Sequence, residues 1–356
     1  MEAIKRKKKD KKPLYILIFF LVFFGGFIYA ITRPSTQAKA IKELEVSYNK
    51  KDVEMVWYKY KADLYQDENF LFETRKKLSS FKLTENDVKE CKSWLPPPPT
   101  SINTIVIPDL SRRIIDTVNN PNQISNDIFV LNIIWESFVE LTKLKEDSKD
   151  KLVVDVTDID QARGQFGQLA NGLQFDLATH AGKSNRLYFT EEKAELFYKN
   201  IIALYESAKG RPLGADYRFY LRRYLLTHLK KPTLFDNYVN KIVIITDGYL
   251  EAENKPADTK INGFQDKFYP AVAAGNVLQV ITANRLNIPV GDIDLHDAQI
   301  LVCEVNERKT GKGYDFEILK AYWEDWFQRM GAKVTVIQRQ QANNMTASSI
   351  KAFMNQ

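Results

Sequence analysis

Two spacings of apolar residues alternate along residues 101–340, and together they predict the architecture. Ile102 to Ile107 is a short β-branched run. After it, Leu131, Ile134, Phe138 and Leu141 mark one apolar face of a helix inside "SNDIFVLNIIWESFVELTKLK". "KLVVDVTD" predicts a second strand. Ala194, Phe197, Ile201 and Leu204 mark another helix, entered through "TEE" with acids in its first turn. "DYRFYLRRYLLTHLKK" is helical and stops before Pro232. "KIVIITDG" is the clearest strand: its apolar residues do not alternate with polar ones, as expected when both faces are covered. "AQILVCEV" has the same character. Leu319, Trp323, Trp326 and Met330 form a further helix face closed by Gly331, and "KVTVIQ" predicts a last strand.

Strands separated by helix-length patterns predict an α/β fold, with a mainly parallel central sheet and helices on both faces. In such folds ligands sit outside the carboxyl ends of the strands, where loops converge.

The flanks divide the rest. Residues 1–12 are a basic tail with seven Lys or Arg and two acids, which accounts for most of the chain's net charge of +6. The rest of the chain is close to neutral, so its positive charge is not spread over the folded part and no nucleic-acid partner is expected. Residues 13–33 hold Leu14 to Ile31, 18 residues without a charge. A helix rising ~1.5 Å per residue crosses ~30 Å of hydrocarbon in such a length. The basic flank predicts a single-pass anchor in the plasma (inner) membrane, with a cytoplasmic N-terminus and an extracytoplasmic globular domain. A cleaved signal peptide is the competing expectation, since Ala38-Lys39-Ala40 resembles a cleavage site. That site lies well past an apolar run longer than a signal core. The short basic anchor and Lys/Asn-rich composition associate the chain with a bacterial envelope.

Residues 34–95, with "VWYKYKADLYQDENFLFETRKKL", predict a membrane-proximal helical segment whose aromatics either pack or rest on headgroups. Residues 96–100 begin with Pro96 to Pro99, a stiff extended linker. The α/β domain spans residues 101–340, and 341–356 is expected as a C-terminal tail. Cys91 and Cys303 are far apart and predict unpaired thiols. His180, His228 and His296 fit no zinc spacing.

Candidate chemistry gathers in "NTIVIPDLSRRI", residues 103–114, where a strand runs into Asp109 and Ser111. "KIVIITDG" delivers a second strand-end acid, Asp247. Asp109, Ser111 and Asp247 make an all-oxygen group of the kind hard divalent cations such as Mg²⁺ prefer. Two alternatives use the same residues: Asp109 or Ser111 caps the following helix, or Arg113 pairs with an acid and replaces the cation.

These residues resemble the von Willebrand factor A-type domain, whose metal-ion-dependent adhesion site has Asp-x-Ser-x-Ser after the first strand and Asp-Gly after the fourth. "DLSRR" matches at Asp109 and Ser111 but has Arg113 in place of the second Ser; Asp247-Gly248 matches the later motif. The family also supplies a Thr from a loop between the two motifs. Here Pro212, Leu213 and Gly214 offer no hydroxyl, and Asp216 is the candidate substitute. The resemblance implies a non-enzymatic protein-binding or scaffold module of the cell envelope, in which a partner protein's carboxylate completes the coordination of Mg²⁺. Without the metal, the same surface would engage the partner through shape and its arginines.

A Mg²⁺-dependent phosphohydrolase using Asp109 or Asp155 is the enzymatic alternative. A purely structural subunit of an envelope secretion or conjugation assembly is the third. Gly182-Lys183-Ser184 lacks the earlier glycine of a phosphate loop, and "DIDLHD" lacks the glycine and glutamate of a calcium hand.

Overall fold

The computed structural model describes residues 34–356 except 146–147, 159–163, 181, 213, 234, 253–254 and 310–312. The expected anchor, Leu14 to Ile31, lies outside the described residues. Among the described residues, no helix is long and apolar enough to cross a membrane. The chain divides into two compact units, Met1–Leu95 and Pro96–Gln356.

The described part of the first unit is four helices: α1 (Thr36–Glu45), α2 (Lys50–Leu64), α3 (Glu68–Ser79) and α4 (Glu85–Trp94). Each starts at a residue whose side-chain oxygen accepts an otherwise orphaned backbone N–H: Ser35, Asn49, Asp67 and Thr84. The aromatics split by role. Trp57 and Phe70 stack at 5.7 Å inside the unit, whereas Tyr48, Tyr58 and Tyr65 are exposed. Ala40 is fully buried in α1, so a cut at the Ala38–Ala40 site would remove the first half of a core helix.

The second unit is an α/β fold around a six-stranded sheet. Its strands are β1 (Thr100–Pro108), β2 (Lys151–Val154), β3 (Gln174–Asp176), β4 (Asn237–Ile245), β5 (Ala298–Val305) and β6 (Val334–Arg339). The order is β3-β2-β1-β4-β5-β6, and only β3 runs antiparallel to its neighbour. Because side chains alternate across a strand, continuous apolar runs fill two cores. Ile105, Ile107, Ile242 and Ile244 face one core; Val106, Val243, Ile245 and Leu301 face the other.

On the first face lie α8 (Tyr217–Tyr220), which continues through a π turn (Leu221–Leu225) into α9 (Leu226–His228), and α12 (Asp315–Arg329). Also packed there are α10 (Gln265–Ala273) and α11 (Val277–Ala283). On the second face lie α5 (Gln123–Leu144), α6 (Gln165–Asn171), α7 (Lys183–Gly210) and α13 (Asn343–Asn355). Trp323 and Trp326 of α12 are fully buried; each such side chain contributes ~2–3 kcal/mol over its exposed state.

Three expectations change. The helix expected to start at "TEE" begins earlier, at Lys183, behind Gly182 with φ +81°. The linker ends one residue sooner, because Thr100 already pairs with Asn237. The C-terminal stretch is no tail: Ile350, Phe353 and Met354 of α13 are core residues of the second face. Its docking is fixed by Lys241 on β4, a fully buried lysine. The Lys241 ammonium donates to the carbonyls of Phe353 at 2.6 Å and Met354 at 2.8 Å, and lies 5.4 Å from the Phe353 ring centre. These are carbonyls that a helix end leaves without partners. Burial pushes the Lys241 pKa down to about 8.

Lys241→Ala is expected to lower stability by about 3 kcal/mol, since two charge-assisted hydrogen bonds are lost from a buried site. Hydrogen exchange of the α13 amides should accelerate with it, and unchanged exchange would remove Lys241 from its anchoring role.

Candidate functional site

Parallel pairing places the carboxyl ends of β1 and β4 side by side. Their register runs from Thr100↔Asn237 to Pro108↔Ile245, so Asp109 and Thr246 follow at the same level. From β1 the chain crosses to β2 on one side; from β4 it crosses to β5 on the other. The strand order therefore reverses between β1 and β4, which is where open α/β sheets form their binding crevice. A cleft of about 390 Å³ opens there, lined by Ser111, Arg112, Asp247, Tyr249, Glu251 and Arg308 among others.

Asp109 and Asp247 do meet at this edge, and both are buried. Asp109 is fully engaged: Oδ1 accepts the Ser111 amide at 2.9 Å and Oδ2 accepts the Thr246 hydroxyl at 2.8 Å. Arg113 lies beneath. Its Nε donates to the Asp109 carbonyl at 2.9 Å and stands 3.4 Å from Asp109 Oδ2. One terminal nitrogen donates to Asp127 Oδ2 at 2.6 Å and to the Ile245 carbonyl at 2.9 Å. Asp127 also accepts from Gln123 Nε2 at 2.6 Å and from the Tyr205 hydroxyl at 2.9 Å. Burial opposes the Arg113 charge, but Asp127 and Asp109 outweigh it and raise its pKa further above the usual arginine range.

Asp247 is less well satisfied. Its Oδ1 accepts the Tyr249 amide at 3.2 Å, and the nearest cation to Oδ2 is Arg308, 3.8 Å away. Arg308 is itself clamped, donating to both carboxylate oxygens of Glu251 at 3.2 and 2.8 Å and stacking 4.0 Å from the Tyr249 ring centre. Burial and the neighbouring Asp109 carboxylate push the Asp247 pKa up to about 7, against Arg113, Arg308 and the Tyr249 amide. Gly248 follows with φ +94°, and a Cβ there would lie 2.8 Å from Val305 Cγ1. Only glycine fits this close turn.

Asp216 is not brought to the site. Its carboxylate caps α8 by accepting the Phe219 amide at 3.1 Å and pairs with Lys255. The next residue approaches instead: Tyr217 is buried, and its hydroxyl lies beside that of Thr246 without a hydrogen-bond partner of good geometry. Asp155 is held elsewhere, accepting from the Tyr220 hydroxyl at 2.7 Å and lying 2.9 Å from His228 Nε2. Thr246, next to a strand-end acid, carried a signal that sequence reasoning passed over. Asp127, Tyr205, Tyr217 and Arg308 reach the site only through the fold.

These residues do not fit a resident Mg²⁺, which takes about six oxygen ligands in a near-ideal octahedron. Both Asp109 oxygens already have donors, and the buried Arg113 guanidinium stands 3.4 Å from Oδ2. No group of three or more acid, histidine or cysteine ligands occurs among the described residues. What the arrangement offers is a polar cleft over a neutralised floor, suited to recognition.

Comparison with protein-family models, curated proteins and solved structures finds no match to this chain.

Arg113→Ala is expected to cost about 3–5 kcal/mol in chemical denaturation, because Asp127 is left as an uncompensated buried charge. Asp247 has its pKa raised in the folded state, so it contributes stability below pH ~4 that is lost as pH rises to about 7. Asp247→Asn should therefore match the native chain near pH 4 and exceed it by about 4 kcal/mol above pH 7. A constant offset across that window would refute the assignment.

Proposed function

We propose that the chain is a membrane-anchored protein-binding module of the cell envelope, engaging its partner through the cleft between the carboxyl ends of β1 and β4. The observation that carries this is the meeting of Asp109 and Asp247, which follow the first and fourth strands at the point where strand order reverses. That is the placement implied by a likeness to the von Willebrand factor A-type domain, and the likeness remains part of the proposal. Exposed Ile115 and Val118 lie on the loop after β1, which also supplies Ser111 and Arg112 to the cleft. Apolar and charged groups on one rim are what a protein partner meets at an interface.

In this reading the partner binds without a divalent cation, because Arg113 supplies the positive charge from within. The anchor is the run Leu14 to Ile31, with the N-terminus cytoplasmic and the α/β unit on the other side of the plasma membrane. Of the acids a phosphohydrolase would use, Asp109 accepts from the Ser111 amide and the Thr246 hydroxyl and Asp155 is tied to Tyr220 and His228, which favours the binding role over the enzymatic one.

A photo-crosslinking amino acid in place of Arg112, installed in living cells, should trap one partner. The adduct should survive EDTA and disappear with Glu251→Ala, which frees the Arg308 clamp. Loss of the adduct on chelation would reinstate the metal, and the same adduct from an exposed control position such as Lys351 would remove the cleft from the proposal. Protease added to intact spheroplasts should digest a tag at Gln356; a protected tag would reverse the topology.

A further inference from the structure

A second cleft, of about 550 Å³, opens beside α8, and its lining shares no residue with that of the first. Its charged lining is unbalanced: Arg218, Arg222, Lys255 and Lys260 face Asp216 and Asp258. Both acids are already matched. Asp258 accepts from Arg218 at 2.9 Å, and Asp216 pairs with Lys255. Arg222 and Lys260 make no ion pair among the described residues, and both are exposed. The remaining wall is apolar, with Phe219, Pro289 and Val290 at the surface and the buried Trp326 behind them. Phe219 is 43% exposed, an aromatic surface with little cover.

The backbone has a local irregularity at the same place. Leu221–Leu225 forms a π turn within the helix that begins at Tyr217. Such turns are rare and recur at functional sites because they re-aim side chains. Arg222 sits inside the turn and lines the cleft. Trp326 is held from behind by its indole N–H, which donates to the Pro289 carbonyl at 3.2 Å.

We propose that this cleft is a docking site for an acidic peptide segment of a partner protein, with an aromatic or aliphatic side chain seated against Phe219 and Pro289. Carboxylates of the segment pair with Arg222 and Lys260, while Asp216 and Asp258 keep Lys255 and Arg218 in place. Arginine clusters recognise acidic motifs in this manner. An anionic membrane is the less suitable occupant: a bilayer surface is flat, and the two acids at the cleft would face its phosphates. The proposal is independent of the carboxyl-edge cleft.

The test uses the full chain in detergent and a fluorescein-labelled peptide of alternating Glu and Phe, read by fluorescence anisotropy. The acidic peptide should bind, weaken with added salt, and lose about tenfold or more in affinity in the Arg222→Ala, Lys260→Ala double variant. Both residues are exposed, so the fold should survive, and an unchanged circular dichroism melt checks this. Glu251→Ala, in the other cleft, should leave peptide binding unaltered. The proposal is overturned by equal binding of a Lys/Phe peptide, by an unchanged double variant, or by no binding at millimolar peptide. Capture of phosphatidylglycerol vesicles in place of the peptide would also overturn it.

Discussion

The second unit depends on one guanidinium. Arg113 joins the ends of β1 and β4 by donating to the Asp109 and Ile245 carbonyls, and it neutralises Asp127 and Asp109 in the same place. Two adjacent parallel strands that each end in a buried acid repel one another unless a cation lies between them. Asp109 and Asp247 are both buried, and here the chain itself supplies the cation. An arginine suits the role because its planar fork serves several acceptors at once and keeps its charge at every accessible pH.

From that constraint the chemistry of the edge follows. With Arg113 committed to Asp109 and Asp127, the charge of Asp247 is only partly offset, and Arg308 is held off by Glu251 and Tyr249. The cleft therefore presents one under-satisfied acid among fixed dipoles and clamped cations. Replacing a buried ion network with apolar residues is often neutral or stabilising. Its value here is geometric: it fixes the loop after β1 against the end of β4, so the rim has one shape.

Much of the fold was legible because its strands are buried on both faces. "IVIITDG" and "AQILVCEV" can be little else than central parallel strands, and both are. The edge escaped notice: β3 is three residues long, too short for any period. The paired helices α10 and α11 are short, and Pro270 falls inside the first. The core residues Ile350, Phe353 and Met354 of α13 all lie in its second half, and its first half is mostly small and polar, which made it look like a tail. At the site, Asp109 and Asp247 were legible from position alone, since a strand end fixes where the following residue goes. The role of Asp216 was not. A helix start turns successive side chains about 100° apart, so Asp216 caps and Tyr217 enters. Nothing in the sequence links Arg113 to Asp127, fourteen residues on; only the packing of α5 against the sheet does.

An internal cation also changes what kind of binding surface the edge can be. A metal-dependent site is conditional: it is loaded or empty as the ion concentration changes, and the partner's acid becomes a ligand. A guanidinium with its acceptors inside the protein is permanent and has no coordination position to share. On the proposed reading, the carboxyl-edge cleft cannot capture a partner by ligand completion and must rely on complementary shape and on the groups of its rim. Regulation would then have to act through exposure of the partner or of the surface, not through loading of the site. The buried Asp127, Tyr205 and Gln123 serve that permanence, since each helps hold Arg113 where an ion could otherwise exchange.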